Sequence, residues 1–429
     1  MRVLVVGANG LIGGYVTARL IAEGHDVVGA ARNLDLARRR EPRATWVGAD
    51  MARMSAADWR PLLRGVDAVI NCAGALQNGP RDDLEAVHVD GLVHLATAAI
   101  SAGVRRFVQV SAVGAENGQS HFSQTKARAE AALDELDIDW IVIRPGLVLA
   151  PAAYGGSALL RGLAAFPWAI PAVHADSIVQ VVSAEDVAAC AARAIVPGTP
   201  ARFVATLTAE RATTLADLLL ALRAWLGIAP APIVPVPPPL ARICATIADG
   251  LAWLGWRSAM RSAAIDQLRG GVRGRVDEGA CRLGFKPREL EDILSGWPTG
   301  VQERWFAWLF FLKPVVMATL AAFWFGTGVV AIMARGAAAR ALTSAGFSHA
   351  AASGVVLAGA GVDIVLGLLI CVRSTAALAL KGMVLVSLIY FAGATVWRPD
   401  LWSDPMGPLL KAVPATVLAL VGLAILDER

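Results

Sequence analysis

The stretch "RVLVVGANGLIGGYVTARLIAEGHDVVGAARN", residues 2–33, constrains this chain more than any other. Residues 3–6 form a short apolar run suited to a parallel strand buried on both faces. Gly7, Gly10 and Gly13 follow at three-residue spacing, and residues 11–22 carry helical periodicity before a second apolar run at residues 26–30. Glycines are needed at such a turn because the backbone must bend sharply and come close to a pyrophosphate. That anion then rests on the unpaired N–H groups at the helix N-terminus. The order strand, glycine turn, helix, strand is the context that separates a dinucleotide site from an ordinary glycine-rich turn.

The second strand runs into Arg32. Domains that bind NAD usually hold the ribose 2′-hydroxyl with an acidic residue near this place. An arginine offers a planar fork to a 2′-phosphate instead, so NADP(H) is expected over NAD(H). The bland alternative is a surface arginine after a strand. Further units follow: "ATWVGADM", "DAVINCAGA", "RRFVQVSAVGAE" and "DWIVIRPGLVLAP" read as strands, "HVDGLVHLATAAISAGV" and "FSQTKARAEAALDEL" as helices. Strands and helices that alternate over short links specify an α/β doubly wound parallel sheet. Ligands of such sheets lie at the carboxyl ends of the strands. Gly7, Arg32, Asp50, Ala73, Ser111 and Pro145 are all expected at such ends, where one crevice can hold them together.

The remainder of the chain has a different character. Of the 429 residues 56% are hydrophobic and 17% charged, and the mean hydropathy is +0.55. A soluble chain carries about a quarter charged residues, so this balance implies membrane. The excess lies beyond Trp305. Residues 314–334 hold no charge, and 20 apolar residues at about 1.5 Å each span the ~30 Å hydrocarbon core. Trp297, Trp305 and Trp308 precede them, as in an interfacial aromatic belt. Three more apolar segments, residues 350–372, 376–396 and 409–426, complete an expected all-α four-helix transmembrane bundle. Asp363 and Lys381 interrupt two of these helices. A charge at mid-bilayer usually pairs or lines a polar cavity, although Lys381 can equally snorkel to the interface. The net charge of +4 is too small to argue for nucleic acid, and the run "LARRRE" reads as a solvated helix face. Five scattered cysteines without metal spacing suit a reducing compartment and suggest no metal site. The start "MRVLVV" is too short for a signal-peptide core, so the N-terminal domain is expected in the cytoplasm, on a multi-pass protein of the inner (cytoplasmic) membrane.

The pieces "GANGLIG", "GAD", "NCAG", "VSAVGAE", "SQTKARAE", "IRPGLVLAP" and "VQVVSAEDVA" together resemble an atypical extended short-chain dehydrogenase/reductase with a Rossmann fold. The resemblance is to the kind grouped as NDUFA9-like and NmrA-like, and it covers residues 1–295. "VIVPVPPPLARI" and "LGFKPRELEDIL" resemble that group's small C-terminal lobe. The resemblance implies that Lys126 binds the ribose hydroxyls and that Ser111 lies beside the nicotinamide. It also implies that Asn9, Leu11, Ile12, Met51 and Gly74 join the residues named above around the cofactor. In "HFSQTK" the superfamily's proton-passing tyrosine is replaced by Phe122. His121 beside it, or Tyr154 in the loop after "RPG", could take over the role. A lone histidine or tyrosine in a loop is more often plain surface.

"RPDLWSDPMGPLLKAVPATVLAL" resembles the approach to the last helix of the DoxX-like membrane domain, a likeness covering residues 304–429. The expected organisation is therefore a nucleotide-binding domain over residues 1–205, a small substrate-side lobe and linker over 206–300, and the membrane domain over 301–429. Two functions remain open. One is a membrane-anchored NADP(H)-dependent oxidoreductase acting on a lipophilic substrate such as a quinone or lipid. The other is a non-catalytic NADP(H)-binding sensor or assembly module. The lipid bilayer is the expected partner, no nucleic acid is expected, and no protein partner can be read.

Overall fold

A computed structural model describes residues 1–79, 82–117, 120–256, 258–274 and 279–427. The expected strands form, and they align in parallel: β1 (Arg2–Val6), β2 (Asp26–Ala31), β3 (Thr45–Gly48), β4 (Ala68–Asn71), β5 (Arg106–Val110) and β6 (Asp139–Pro145). A seventh strand not read from the sequence, β7 (Phe203–Leu207), pairs in parallel with β6 at the sheet's edge. The spatial order is β7-β6-β5-β4-β1-β2-β3. The winding reverses between β1 and β4, which is the switch point where such sheets open a ligand crevice.

Alternation along the strands fills both faces. Val3 and Val5 pack with Val16 and Leu20 of helix α1 (Leu11–Ala22), while Leu4 and Val6 face the opposite cluster. That second cluster holds Leu92 and Leu95 of α2 (Gly91–Ser101) and Ala129 and Leu133 of α3 (His121–Asp134). A strand buried on both faces needs a continuous apolar run, and residues 3–6 of β1 supply one. The buried Asn71 of β4 and Gln109 of β5 satisfy each other by a hydrogen bond. The segment read as one helix before Gly91 begins with a wider-wound turn, Ala86–Asp90. Outside the main sheet, the short strand Ile233–Pro235 pairs in parallel with Ile170–Ala172, and α4 (Pro238–Trp253) comes next.

The chain divides into two compact units. One comprises Met1–Asp249 and Ser258–Arg304; the other comprises Gly250–Arg257 and Trp305–Arg429. Among the described residues three helices are long and apolar enough to cross a membrane: α5 (Val301–Met333), which belongs to the second unit from Trp305 on, α6 (His349–Leu369) and α7 (Arg373–Trp397). The fourth apolar segment forms the 17-residue helix α8 (Pro408–Ala424). Pro314 lies inside α5, which starts 13 residues earlier at Val301. Small residues let α5 and α6 meet backbone to backbone, as membrane helices commonly do. A Cβ on Gly328 would stand 2.6 Å from the Ala360 carbonyl oxygen, and one on Gly367 2.6 Å from Phe325 N. Asp363 is buried at this contact, where it accepts hydrogen bonds from the Tyr390 hydroxyl at 2.9 Å and from Thr327 at 3.4 Å. These hydroxyls, and not Lys381, are its partners; Lys381 is exposed.

Candidate functional site

The crevice is built first from backbone. Gly7 leaves β1 with φ +72°, a conformation that side-chain-bearing residues rarely adopt. Its N–H donates to Ala30 O at 3.1 Å, and its own carbonyl accepts from Gly10 N–H at 2.8 Å. A Cβ on Gly7 would stand 2.9 Å from Ala73 N, and one on Gly13 would stand 2.2 Å from Gly7 O. The turn therefore closes only with glycines. Gly10 caps α1 with extended backbone, without a capping side chain and without an acid in the first turn. The N–H groups of Leu11, Ile12 and Gly13 precede the helical ladder and carry the positive end of its dipole. This cradle, which any Cβ would fill, fits a pyrophosphate, so the residues present suit a dinucleotide.

Around it the parallel sheet gathers the other expected residues at one edge. Arg32 directly follows β2, and its guanidinium donates to Asp82 Oδ1 at 2.9 Å. Asp50, two residues beyond β3, accepts Ala52 N–H at 3.3 Å, and Met51 beside it is buried. Ala73 N–H donates to Asn71 Oδ1 at 3.1 Å, and Asn71 Nδ2 in turn donates to Gln109 at 2.8 Å, which fixes the exit of β4. Pro145 ends β6, and its carbonyl accepts Val113 N–H at 3.0 Å. Asn9 lies within the glycine turn.

Lys126 is 4% exposed, and its Nζ donates to Val110 O at 3.2 Å. A Cβ on Gly74 would come within 3.5 Å of that Nζ, so the ammonium lies under the exit of β4, where glycine leaves room above it. Burial lowers its pKa to about 8, against the pull of Glu130 and Cys72. Burial likewise pushes the Cys72 thiol up to about 12. Ser111 follows β5, but its hydroxyl donates to Glu130, whose carboxylate also accepts from Arg144 Nε at 3.1 Å.

Phe122 occupies the place of the missing acid, its ring centroid 6.0 Å from Lys126 Nζ. The ring meets His88 edge-on at 5.5 Å. His88 accepts Ala75 N–H at Nε2 (3.2 Å) and so carries its proton on Nδ1, facing Thr125 Oγ1 at 2.8 Å. Thr125 passes the chain on to Phe122 O at 2.9 Å. Burial first, and then the Lys126 charge, lower the His88 pKa to about 2, so the ring is neutral throughout the working range. His121 is exposed at the first position of α3. Tyr154 is half-buried before helix Gly155–Ala164, on the loop whose Ala152 N–H donates to the Tyr15 hydroxyl at 3.2 Å.

Sequence reasoning missed His88, Glu130 and Arg144. Glu130 was findable, because it stands one helical turn beyond Lys126 in "KARAE". His88 opens a quoted helix, but nothing local reveals that its ring turns inward against Thr125.

Residues 7–196 match the NAD(P)H-binding family model, and residues 321–420 match the DoxX-like family model. The chain joins an NAD(P)H-binding domain to a DoxX-like domain. The NAD(P)H-binding domain is similar to the photosystem II assembly factor Ycf39 of Synechocystis, 28% identical over 51% of this chain and 66% of that protein. It is also similar to a ceramide reductase of Caulobacter vibrioides, 28% identical over 44% of this chain and 58% of that protein. The chain spans 20% of the length of the mycobacterial proteins it matches at 29% identity. Among solved structures, a NADPH-dependent quinone oxidoreductase of Escherichia coli superposes with a TM-score of 0.53 at 20% identity. The superposition covers 68% of this chain and 98% of that one, and at such identity the likeness concerns the fold. The extended short-chain kinship and the DoxX-like domain expected from the motifs are thus borne out.

Proposed function

We propose that this chain is a membrane-anchored, NADP(H)-binding oxidoreductase of the short-chain type that reduces a lipophilic substrate such as a quinone or lipid. The observation that carries the reading is the buried Lys126 beneath Gly74, in the same crevice as the glycine cradle, on a chain that also holds three apolar helices. In this reading the membrane is the inner (cytoplasmic) one and the NAD(P)H-binding domain faces the cytoplasm. Bound nicotinamide would supply the hydride.

The protein's own contribution is binding and orientation. Leu11, Ile12 and Gly13 N–H groups would hold the pyrophosphate, with Asn9 in the same turn. Arg32 would meet the 2′-phosphate in competition with Asp82. Asp50, Met51 and Ala73 would flank the adenosine side, and Lys126 the ribose hydroxyls. Ser111 and Pro145 would border the nicotinamide side.

The supply of protons narrows the substrate. Phe122 has no ionisable proton, Ser111 is committed to Glu130, and the neutral His88 directs its one proton at Thr125. Of the donors expected from the sequence, His121 and Tyr154 are left to take the role. A simple ketone would leave an alkoxide needing a donor on the spot. A quinone's reduced oxygens can take protons from solvent after hydride arrives, so a quinone suits this crevice better.

The competing reading, a nucleotide-binding module without turnover, is favoured by Phe122 itself, and the kinship with an assembly factor agrees with it. Purification in detergent, identification of the co-purifying nucleotide and a turnover assay separate the two. Consumption of nucleotide with a lipophilic acceptor supports the enzyme; tight binding without consumption supports the module.

A further inference from the structure

Helix α4 is built with its large side chains on the wrong side for a water-soluble domain. Ala245, Ala248 and Ala252 are buried, whereas Leu240, Ile243, Ile247 and Leu251 are exposed, Ile243 at 58% and Ile247 at 60%. Spacings of three and four residues place those four on one narrow stripe. The helix's one carboxylate, Asp249, faces away from the stripe and accepts from Gln77 Nε2 at 2.8 Å and Ser262 Oγ at 2.6 Å. Beside the stripe run Arg242, Thr246 and Trp253, all exposed, Trp253 at 74%. An apolar stripe flanked by an arginine and a tryptophan, with the only acid turned away, is the pattern of a helix lying in a membrane interface.

The end of α4 ties this pattern to lipid. The carbonyl of Leu254 accepts Arg373 N–H at 2.9 Å, and Trp256 Nε1 donates to Cys371 O at 2.7 Å. Cys371 lies in the turn between α6 and α7, two helices that are long and apolar enough to span a bilayer, and Arg373 opens α7. A turn between two such spans stands at the boundary of membrane and water. The stripe is therefore continuous along one helix with residues held at that boundary.

We propose that α4 lies in the headgroup layer of the bilayer, with Leu240, Ile243, Ile247 and Leu251 in the acyl boundary and the exposed Arg242, which also faces Asp266 at 3.6 Å, at the level of the lipid phosphates. The proposal is independent of whether the chain is an enzyme.

The test uses the full chain in nanodiscs of phosphatidylethanolamine and phosphatidylglycerol, with its five native cysteines replaced by alanine. A nitroxide is placed singly at Ile243→Cys, Ile247→Cys, Leu251→Cys and, as the aqueous reference, Arg39→Cys. Collisions with oxygen should exceed those with a water-soluble nickel chelate several-fold at the first three positions, and the order should reverse at position 39. Nickel access at the three positions equal to that at 39 would overturn the proposal. So would exclusion of both probes with spin–spin broadening that vanishes on dilution with unlabelled chain, because a second copy would then cover the stripe.

Should the cysteine-free chain fail to fold, Trp253 offers a second measurement on native cysteines. The fluorescence difference between the native chain and Trp253→Phe should be quenched by more than half in nanodiscs of brominated lipid and be insensitive to iodide. Quenching by iodide and not by bromolipid would contradict the assignment.

Discussion

Lys126 should cost the fold stability that its replacement by methionine recovers, in a manner that depends on pH. The side chain is 4% exposed, and its pKa falls from the ordinary lysine value of 10.5 to about 8, burial being the main cause. A base whose folded pKa is lowered binds fewer protons folded than unfolded between those two values. Stability therefore rises with pH across that window. At about 1.4 kcal/mol per pKa unit, the penalty is roughly 3 kcal/mol at pH 7 and falls to roughly 2 kcal/mol at pH 9. Lys126→Met removes it, along with one hydrogen bond to Val110 O worth about 1 kcal/mol. That carbonyl keeps Gln109 Nε2 as a donor at 2.9 Å, so no acceptor is stranded. The variant should thus gain about 2 kcal/mol at pH 7 and about 1 kcal/mol less than that at pH 9. Hydrogen exchange of the β5 and β6 amides without nucleotide reads this directly, since intrinsic rates cancel between two chains at one pH. Exchange in the variant should be slower by a factor of roughly 30 at pH 7, and the factor should shrink roughly fivefold by pH 9. The opposing effect of Cys72, whose thiol is raised to about 12, is largely common to both chains. A variant less stable than the native protein, with a difference flat in pH, would refute the account of a desolvated lysine.

Gly13→Ala forces a Cβ to 2.2 Å from Gly7 O, which is backbone and cannot rotate away, so nucleotide binding measured by calorimetry should disappear. Arg32→Asp should reverse or remove a preference for NADPH over NADH, at a cost on the order of 1.5–3 kcal/mol for the charge-assisted pair; equal affinities in the native chain would contradict the assignment. Asp82→Asn removes the carboxylate that engages Arg32 at 2.9 Å and should tighten NADPH several-fold while leaving NADH unchanged. Phe122→Tyr should leave nucleotide affinity within about twofold, because the ribose is assigned to Lys126. Truncation after Arg304 should give a nucleotide-binding fragment that stays dispersed only when Leu251, Trp253 and Leu254 are made polar, as dynamic light scattering would report.

The sheet was legible because its strands carry apolar runs on both faces and its crossovers carry glycine turns. β7 was not, since it follows the turn-forming "VPGTP", and only pairing with β6 makes it a strand. The crevice was legible wherever the backbone sets position: Gly7, Arg32, Asp50, Ala73, Ser111 and Pro145 stand at strand ends because a parallel sheet puts all such ends on one edge. Side-chain direction was not legible. The Ser111 hydroxyl points to Glu130, Arg32 to Asp82, and His88 inward to Thr125, each decided by a partner distant in sequence. The same holds in the membrane unit, where the hydropathy marked four segments but Asp363 found Tyr390, 27 residues on, and not Lys381.

The central claim, that a crevice without the tyrosine still moves hydride to a lipophilic acceptor, is tested most directly by NADPH oxidation. The native full-length chain in nanodiscs is given a panel of quinones and a panel of simple ketones, with turnover followed at the nicotinamide absorbance. Oxidation with quinones and none with ketones is the expected result. Rapid ketone reduction would contradict the proton argument built on Phe122, and bound nucleotide that neither panel oxidises would contradict the oxidoreductase itself.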